Sequence, residues 1–249
     1  MIDVHCHLTD SRYRDNEISE IAESGVKIIT AGTSLEDSIK AVHLAEKYDG
    51  IWAVVGIHPE NVKDGWQKDI YKLSKLTKHP KVLGIGEVGL DFRPETKPEE
   101  KKKQKELFEA MVELAEETRL PIVVHNRNAD EDVLRILNGV KTGVLMHCFT
   151  RGKEFMQKCA ERSWYMSFGG LVTYENNPRM KVVVRELPAE LLLLETDSPY
   201  SVPVGGKGDI NTPVNVKIVA EKIAKIRGMA IQDVDELTSV NAGRLFKLI

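Results

Sequence analysis

Eight short apolar runs, each bounded by turn residues and separated from the next by a helix-length stretch, constrain this chain more than any other feature. They occupy residues 2–8, 27–31, 51–55, 82–87, 121–125, 144–147, 165–168 and 191–195. Short runs rich in Val, Ile and aromatic residues read as strands. Because most are apolar throughout rather than alternating, both faces must be covered, which points to a parallel sheet packed under helices. The intervening stretches carry helical signals. Ser34 caps a stripe of Ile39, Val42, Leu44 and Ala45, and Pro98 opens a charged helix whose buried face is Leu107, Met111, Leu114 and Ala115. Helices are predicted over about 15–24, 35–48, 98–119, 130–137, 154–161, 180–186 and 213–227, with a weaker one through Ile70, Leu73 and Leu76 and a C-terminal cap over 234–248.

Eight strands alternating with eight helices in 249 residues have the size and rhythm of a (β/α)8 TIM barrel. A doubly wound open sheet would also alternate. The polar residues separate the two. His5 and His7, Glu87, His125, His147 and Asp197 fall at or just past the carboxyl ends of the first, fourth, fifth, sixth and eighth strands. In a barrel those ends meet at one mouth, whereas in an open sheet the first and eighth strands can lie far apart. The expectation is therefore a single TIM-barrel domain spanning 1–249.

Four imidazoles and two carboxylates suit a divalent ion such as Zn or Mn better than a lone Mg, which prefers oxygen ligands and several waters. His5 and His7 alternate to one side of a strand and Cys6 to the other. Six ligands exceed what one open catalytic ion takes, so two divalent ions (Zn, Mn or Mg) sharing a carboxylate fit the count. Such a pair brings the ionisation of a bound water close to neutral pH and polarises the bond to be cleaved.

Composition narrows the setting. A net charge of −3 gives no global attraction to nucleic acid, so phosphate recognition has to be local. Three cysteines, Cys6, Cys148 and Cys159, form no C-x-x-C pair, which favours a reducing, cytoplasmic location. No apolar run reaches the length of a membrane span, and no obligate protein partner is evident.

The motifs also resemble a family. His5-Cys6-His7-Leu8, Gly56-Ile57-His58-Pro59, Gly86-Glu87-Val88-Gly89-Leu90-Asp91, Val124-His125-Asn126-Arg127, Met146-His147-Cys148-Phe149 and Glu195-Thr196-Asp197-Ser198-Pro199-Tyr200 are similar, in order, to signatures of the TatD metal-dependent deoxyribonucleases of the amidohydrolase superfamily. The resemblance implies hydrolysis of DNA phosphodiesters, with an exonuclease mode. It implies one metal on His5, His7, Glu87 and Asp197 and another on Glu87, His125 and His147. His58, Arg127 and Asn211 would contact substrate, a role for which the guanidinium fork of Arg127 is chemically suited. Asp197 and Glu87 would be the catalytic carboxylates. Two positions depart from the family pattern, Thr212 where Glu is common and Asn128 where Asp is usual, and both bear on substrate choice.

Other readings stay open at this point. The same machinery cleaves amides, lactones and small phosphoesters, since fold does not fix substrate, although a fourth strand ending in Glu87 rather than lysine favours the nuclease branch. A metal- or nucleic-acid-binding module without catalysis is a third reading. Lys101-Lys102-Lys103, interleaved with Glu99, Glu100 and Glu106, reads as a solvated helix face. Phe92 and Arg93, following Glu87, are open to a base-stacking or phosphate role.

Overall fold

In the computed structural model, which describes residues 1–248, all eight apolar runs are strands. They are β1 (Ile2–Cys6), β2 (Lys27–Ala31), β3 (Ile51–Val55), β4 (Val82–Asp91), β5 (Ile122–Arg127), β6 (Val144–Met146), β7 (Tyr165–Phe168) and β8 (Leu192–Leu194). The helices are α1 (Asp15–Glu23), α2 (Leu35–Lys47), α3 (Gln67–Leu76), α4 (Pro98–Thr118), α5 (Asp130–Ile136), α6 (Lys153–Ala160), α7 (Pro178–Glu186), α8 (Val216–Arg227) and α9 (Ile231–Phe246). Ser34 caps α2 as expected, its hydroxyl accepting from the Asp37 N–H at 3.1 Å.

The strands form one sheet in chain order, β1 to β8, and β8 returns beside β1. The Asp197 N–H donates to the His5 carbonyl at 3.0 Å and the His7 N–H to the Ser198 carbonyl at 2.7 Å. An order that meets its own beginning is the topology of a (β/α)8 barrel and excludes an open doubly wound sheet. No helix among the described residues is long and apolar enough to cross a membrane.

The chain packs as two units. The first comprises Met1–Thr30 with the chain from His147 onward, and the second is Ala31–Met146. In the first, β7 pairs with β8 and β1 with β2, both parallel. Val4, Ile28, Ile29, Met166 and Leu192 through Leu194 are all but removed from solvent. In the second, β3, β4, β5 and β6 pair in parallel. The predicted stripe of α4 is its buried face, with Phe108 and Met111 fully enclosed. Each such side chain contributes roughly 1.5–3 kcal/mol of burial.

Some boundaries differ from expectation, one with consequences. β4 does not end at Glu87 but runs four residues further, pairing Gly89 with His125 and Asp91 with Arg127. Gly89 permits this close approach, because its φ is +139° and a Cβ there would lie 2.0 Å from the His125 carbonyl oxygen. The side chain two residues beyond Gly89, Asp91, is thereby kept on the strand. The expected helix over 213–227 begins instead with a short 3-10 turn at Pro213–Asn215, and the C-terminal helix starts three residues early, at Ile231.

Candidate metal centre

In the first unit, β1 supplies His5 and His7, the residue after β6 supplies His147, and the turn after β8 brings Asp197 to them. The rings of His5 and His147 stack with centroids 4.0 Å apart, and His7 meets His5 edge-on at 4.9 Å. Asp197 Oδ1 lies 3.6 Å from His7 Nε2 and 4.0 Å from His5 Nε2. One donor atom each from His5, His147 and Asp197 fall within 4.8 Å of one another. Asp197 reaches this place from a left-handed backbone, φ +53°, a conformation that Asp tolerates better than most residues. Burial raises its carboxyl pKa, but the attraction of His7, His147 and His5 outweighs burial and holds it below the ordinary value. It is therefore an anion at neutral pH, as a ligand must be.

A buried polar network fixes that turn. Asp3 Oδ1 accepts from the His5 N–H at 3.2 Å and the Thr196 N–H at 3.0 Å, and Oδ2 pairs with the Thr196 hydroxyl at 2.5 Å. The same hydroxyl accepts from the Ser198 N–H at 3.2 Å. Burial pushes the Asp3 carboxyl well up, the Thr196 and His5 bonds opposing it. Behind His147, Glu195 Oε2 accepts from the Ser167 hydroxyl at 2.6 Å and stands 3.8 Å from His147 Nδ1. Burial pushes Glu195 up to about 7 despite the His147 field.

In the second unit, His58, Glu87 and His125 likewise place one donor atom each within 4.8 Å of the others. His125 is held at both nitrogens, Nδ1 to Glu87 Oε1 at 2.9 Å and Nε2 to Asp91 Oδ2 at 3.0 Å. Burial works against its protonation, yet the bonds to Asp91 and Glu87 prevail and push it up to about 9. Asp91 is raised by burial, but His125, Arg93 and Arg127 bring it below the ordinary value. Its N–H donates to Gln104 on α4 at 2.9 Å, which pins the end of β4.

The donor chemistry fits divalent ions. Each cluster mixes neutral-capable imidazoles with a carboxylate, the nitrogen–oxygen set that Zn and Mn accept. In the second cluster the His125 ring bridges two carboxylates, Glu87 at Nδ1 and Asp91 at Nε2. The model of the TatD related DNase family matches residues 2–247.

The chain belongs to the TatD family of metal-dependent hydrolases.

It is 38% identical over 256 residues to the uncharacterized metal-dependent hydrolase YabD of Bacillus subtilis, covering 100% of this chain and 99% of that one. It is 33% identical over 265 residues to the 3'-5' ssDNA/RNA exonuclease TatD of Salmonella typhimurium, covering 100% of both. Among solved structures it is similar to YJJV, a TatD homologue from Escherichia coli K12, with a TM-score of 0.91 and 26% identity, covering 99% and 98% of the two chains.

Against this TatD background, the predicted residues sort by unit. His5, His7, His147 and Asp197 come together in one, and Glu87 and His125 in the other. His58 falls among the donors of the second cluster, its Nε2 3.3 Å from Glu87 Oε1. Its Nδ1 accepts the Glu60 N–H at 3.2 Å, which places the ring proton of the neutral form on Nε2. His58 thus presents a donor, suited to an anion. Arg127 stands more than half exposed, with Nη1 3.8 Å from Asp91. Asn211, expected as a substrate contact, is fully buried. Its amide donates to the Thr196 and Ser201 carbonyls, and its oxygen accepts from the Thr212 N–H and Asn215. It is spent on fastening the loop after β8. Cys6 is buried with Sγ 3.8 Å from the Ile29 carbonyl, consistent with a small apolar filler.

Sequence reasoning missed Asp3, Asp91 and Glu195 as site residues. Period-two counting from Glu87 through Gly89 reaches Asp91, and counting back from His5 reaches Asp3. Those were the available signals.

Proposed function

We propose that this TatD-family hydrolase cleaves phosphodiester bonds of nucleic acid, single-stranded DNA foremost, as an exonuclease, and that it holds two divalent ions, Zn, Mn or Mg. The observation that carries the reading is the grouping of the ligand residues, His5, His147 and Asp197 in one unit and Glu87 with His125 in the other, where His58 stands beside them. On this reading the whole chain is one catalytic domain, located in the cytoplasm, and His5, His7, Glu87, His125, His147 and Asp197 are the metal ligands. Bound divalent ions would supply a water that ionises near neutral pH and charge stabilisation for a phosphoryl group.

The protein's own groups do the rest. Asp197 turns Oδ1 toward His5 and His7, and its Oδ2 takes the proton of the attacking water. Glu87 keeps His125 oriented through the 2.9 Å contact at Nδ1. Arg127, permanently cationic and largely exposed, grips non-bridging phosphate oxygens. His58 donates its Nε2 proton to the same anion. The Salmonella relative's ssDNA/RNA exonuclease activity supports the substrate class.

Metal-loaded protein incubated with labelled single-stranded DNA, duplex DNA, RNA and a panel of lactones tests the reading. Shortening of the single strands is the expected result. Turnover of lactones with every nucleic acid left intact would replace it with a small-molecule hydrolase.

A further inference from the structure

Beside the first cluster lies a stacked pair of planar groups that no step above uses. Tyr200 follows Asp197 by three residues, and its ring meets that of His7 edge-on with centroids 6.0 Å apart. The Arg12 guanidinium carbon sits 4.3 Å from the Tyr200 centroid. Arg12 is already paired with Asp10. Its Nε and Nη2 each donate at 2.8 Å to the two oxygens of Asp10, so the fork is used and the charge is compensated. What remains is flat surface, Tyr200 being 48% exposed.

The surroundings match. Among the described residues, Tyr174, Tyr200, Val204 and Ile210 are all exposed, and all lie on the segments following β7 and β8. The Tyr174 hydroxyl donates to the Val202 carbonyl at 2.7 Å, which ties these two segments together. Phe92, the other aromatic considered for stacking, differs. Lys101 and Lys105 stand over its ring at 5.1 and 5.6 Å.

We propose that Tyr200, backed by Arg12, is the stacking platform for the nucleobase adjoining the bond to be cleaved, with Val204 and Ile210 extending an apolar track for neighbouring bases. The proposal rests on the nucleic-acid reading above and deepens it. Stacking on an aromatic face is tolerant of base identity, because every base has a π-face. A charge-neutral Arg–Asp pair behind the ring adds planarity without adding salt dependence.

The test compares binding of a non-hydrolysable phosphorothioate oligothymidylate with that of the same strand lacking its bases, using the metal-loaded full chain. The wild-type protein should prefer the strand with bases by about 5- to 100-fold, the range that loss of one stacked base commonly spans. Tyr200→Ala should bring the preference close to one without changing the salt dependence, and Tyr200→Trp should restore it. A Tyr200→Ala loss that is equal on both strands, or a Trp variant as poor as Ala, overturns the platform. Binding of neither strand by wild type overturns the platform and the nucleic-acid reading together. A base preference that depends on Tyr200, in a protein that shortens no nucleic acid, leaves the platform standing and removes only the hydrolysis.

Discussion

Asp197 and Glu87 are both carboxylates among histidines, the first partly exposed and the second buried, and one is held by a loop and the other by a strand. Asp197 sits in a left-handed turn fastened by Asp3 and Thr196, so its position depends on a buried network two residues deep. Glu87 is carried by β4 itself, at the register irregularity between Ile85 and Val88, where its N–H donates to the Gly32 carbonyl at 3.1 Å. The difference extends to their partners. Asp197 faces imidazoles at 3.6 and 4.0 Å, longer than hydrogen bonds, leaving room between them for an ion. Around His125 the contacts are already closed at 2.9 and 3.0 Å, so an ion has to displace a proton to enter. A loop-borne carboxylate suits a group that exchanges protons, and a strand-borne one suits a fixed anchor.

The largest effect should come from the loop. Asp197→Asn keeps size and one ligating oxygen but removes the basic one, so turnover at matched metal occupancy should fall by roughly 10² to 10⁴. Near-normal turnover with an unchanged acid limb in the pH profile would reduce Asp197 to coordination and erase the contrast with Glu87.

Arg127 sharpens the comparison from the strand side. It cannot ligate a cation, so Arg127→Ala should cost about 10- to 100-fold in kcat/KM on DNA, the scale of losing a hydrogen bond to a charged group. Metal content measured by elemental analysis should stay unchanged. A parallel fall in bound metal would make Arg127 a support for Asp91 rather than a substrate contact.

The smallest effect is on metal-free protein. His125 is raised from 6.5 to about 9 in the folded state. Its stabilising contribution is therefore full below about pH 6.5 and lost as pH rises through 9. Thermal unfolding of chelator-treated protein should show this decline, and Asp91→Asn should flatten it. An unchanged decline in the variant would assign it to another group.

How much of this was legible beforehand follows from what periodicity records. The strands were readable because burial on both faces leaves uninterrupted apolar runs such as Leu191 to Leu194. The ligands stood out because a polar residue ending such a run is conspicuous. Asp91 is hidden because Val88, Gly89 and Leu90 read as the start of a loop when the strand is ended at Glu87, and the Gly89–His125 pairing shows otherwise. Asp3 and Glu195 were hidden by proximity, each two residues from a ligand and chemically indistinguishable from one. Asn211 differs again, since a family position names a residue but not the hydrogen bonds its amide already makes.

On the proposed reading the two clusters each hold a divalent ion, and both ions are needed to cut a phosphodiester. Titration of metal-free protein with Mn or Zn, following both bound metal and shortening of a labelled single-stranded DNA, tests it most directly. Activity should rise to a plateau at about two equivalents per chain. A plateau at one equivalent, or saturation at two with the strand intact, would contradict it.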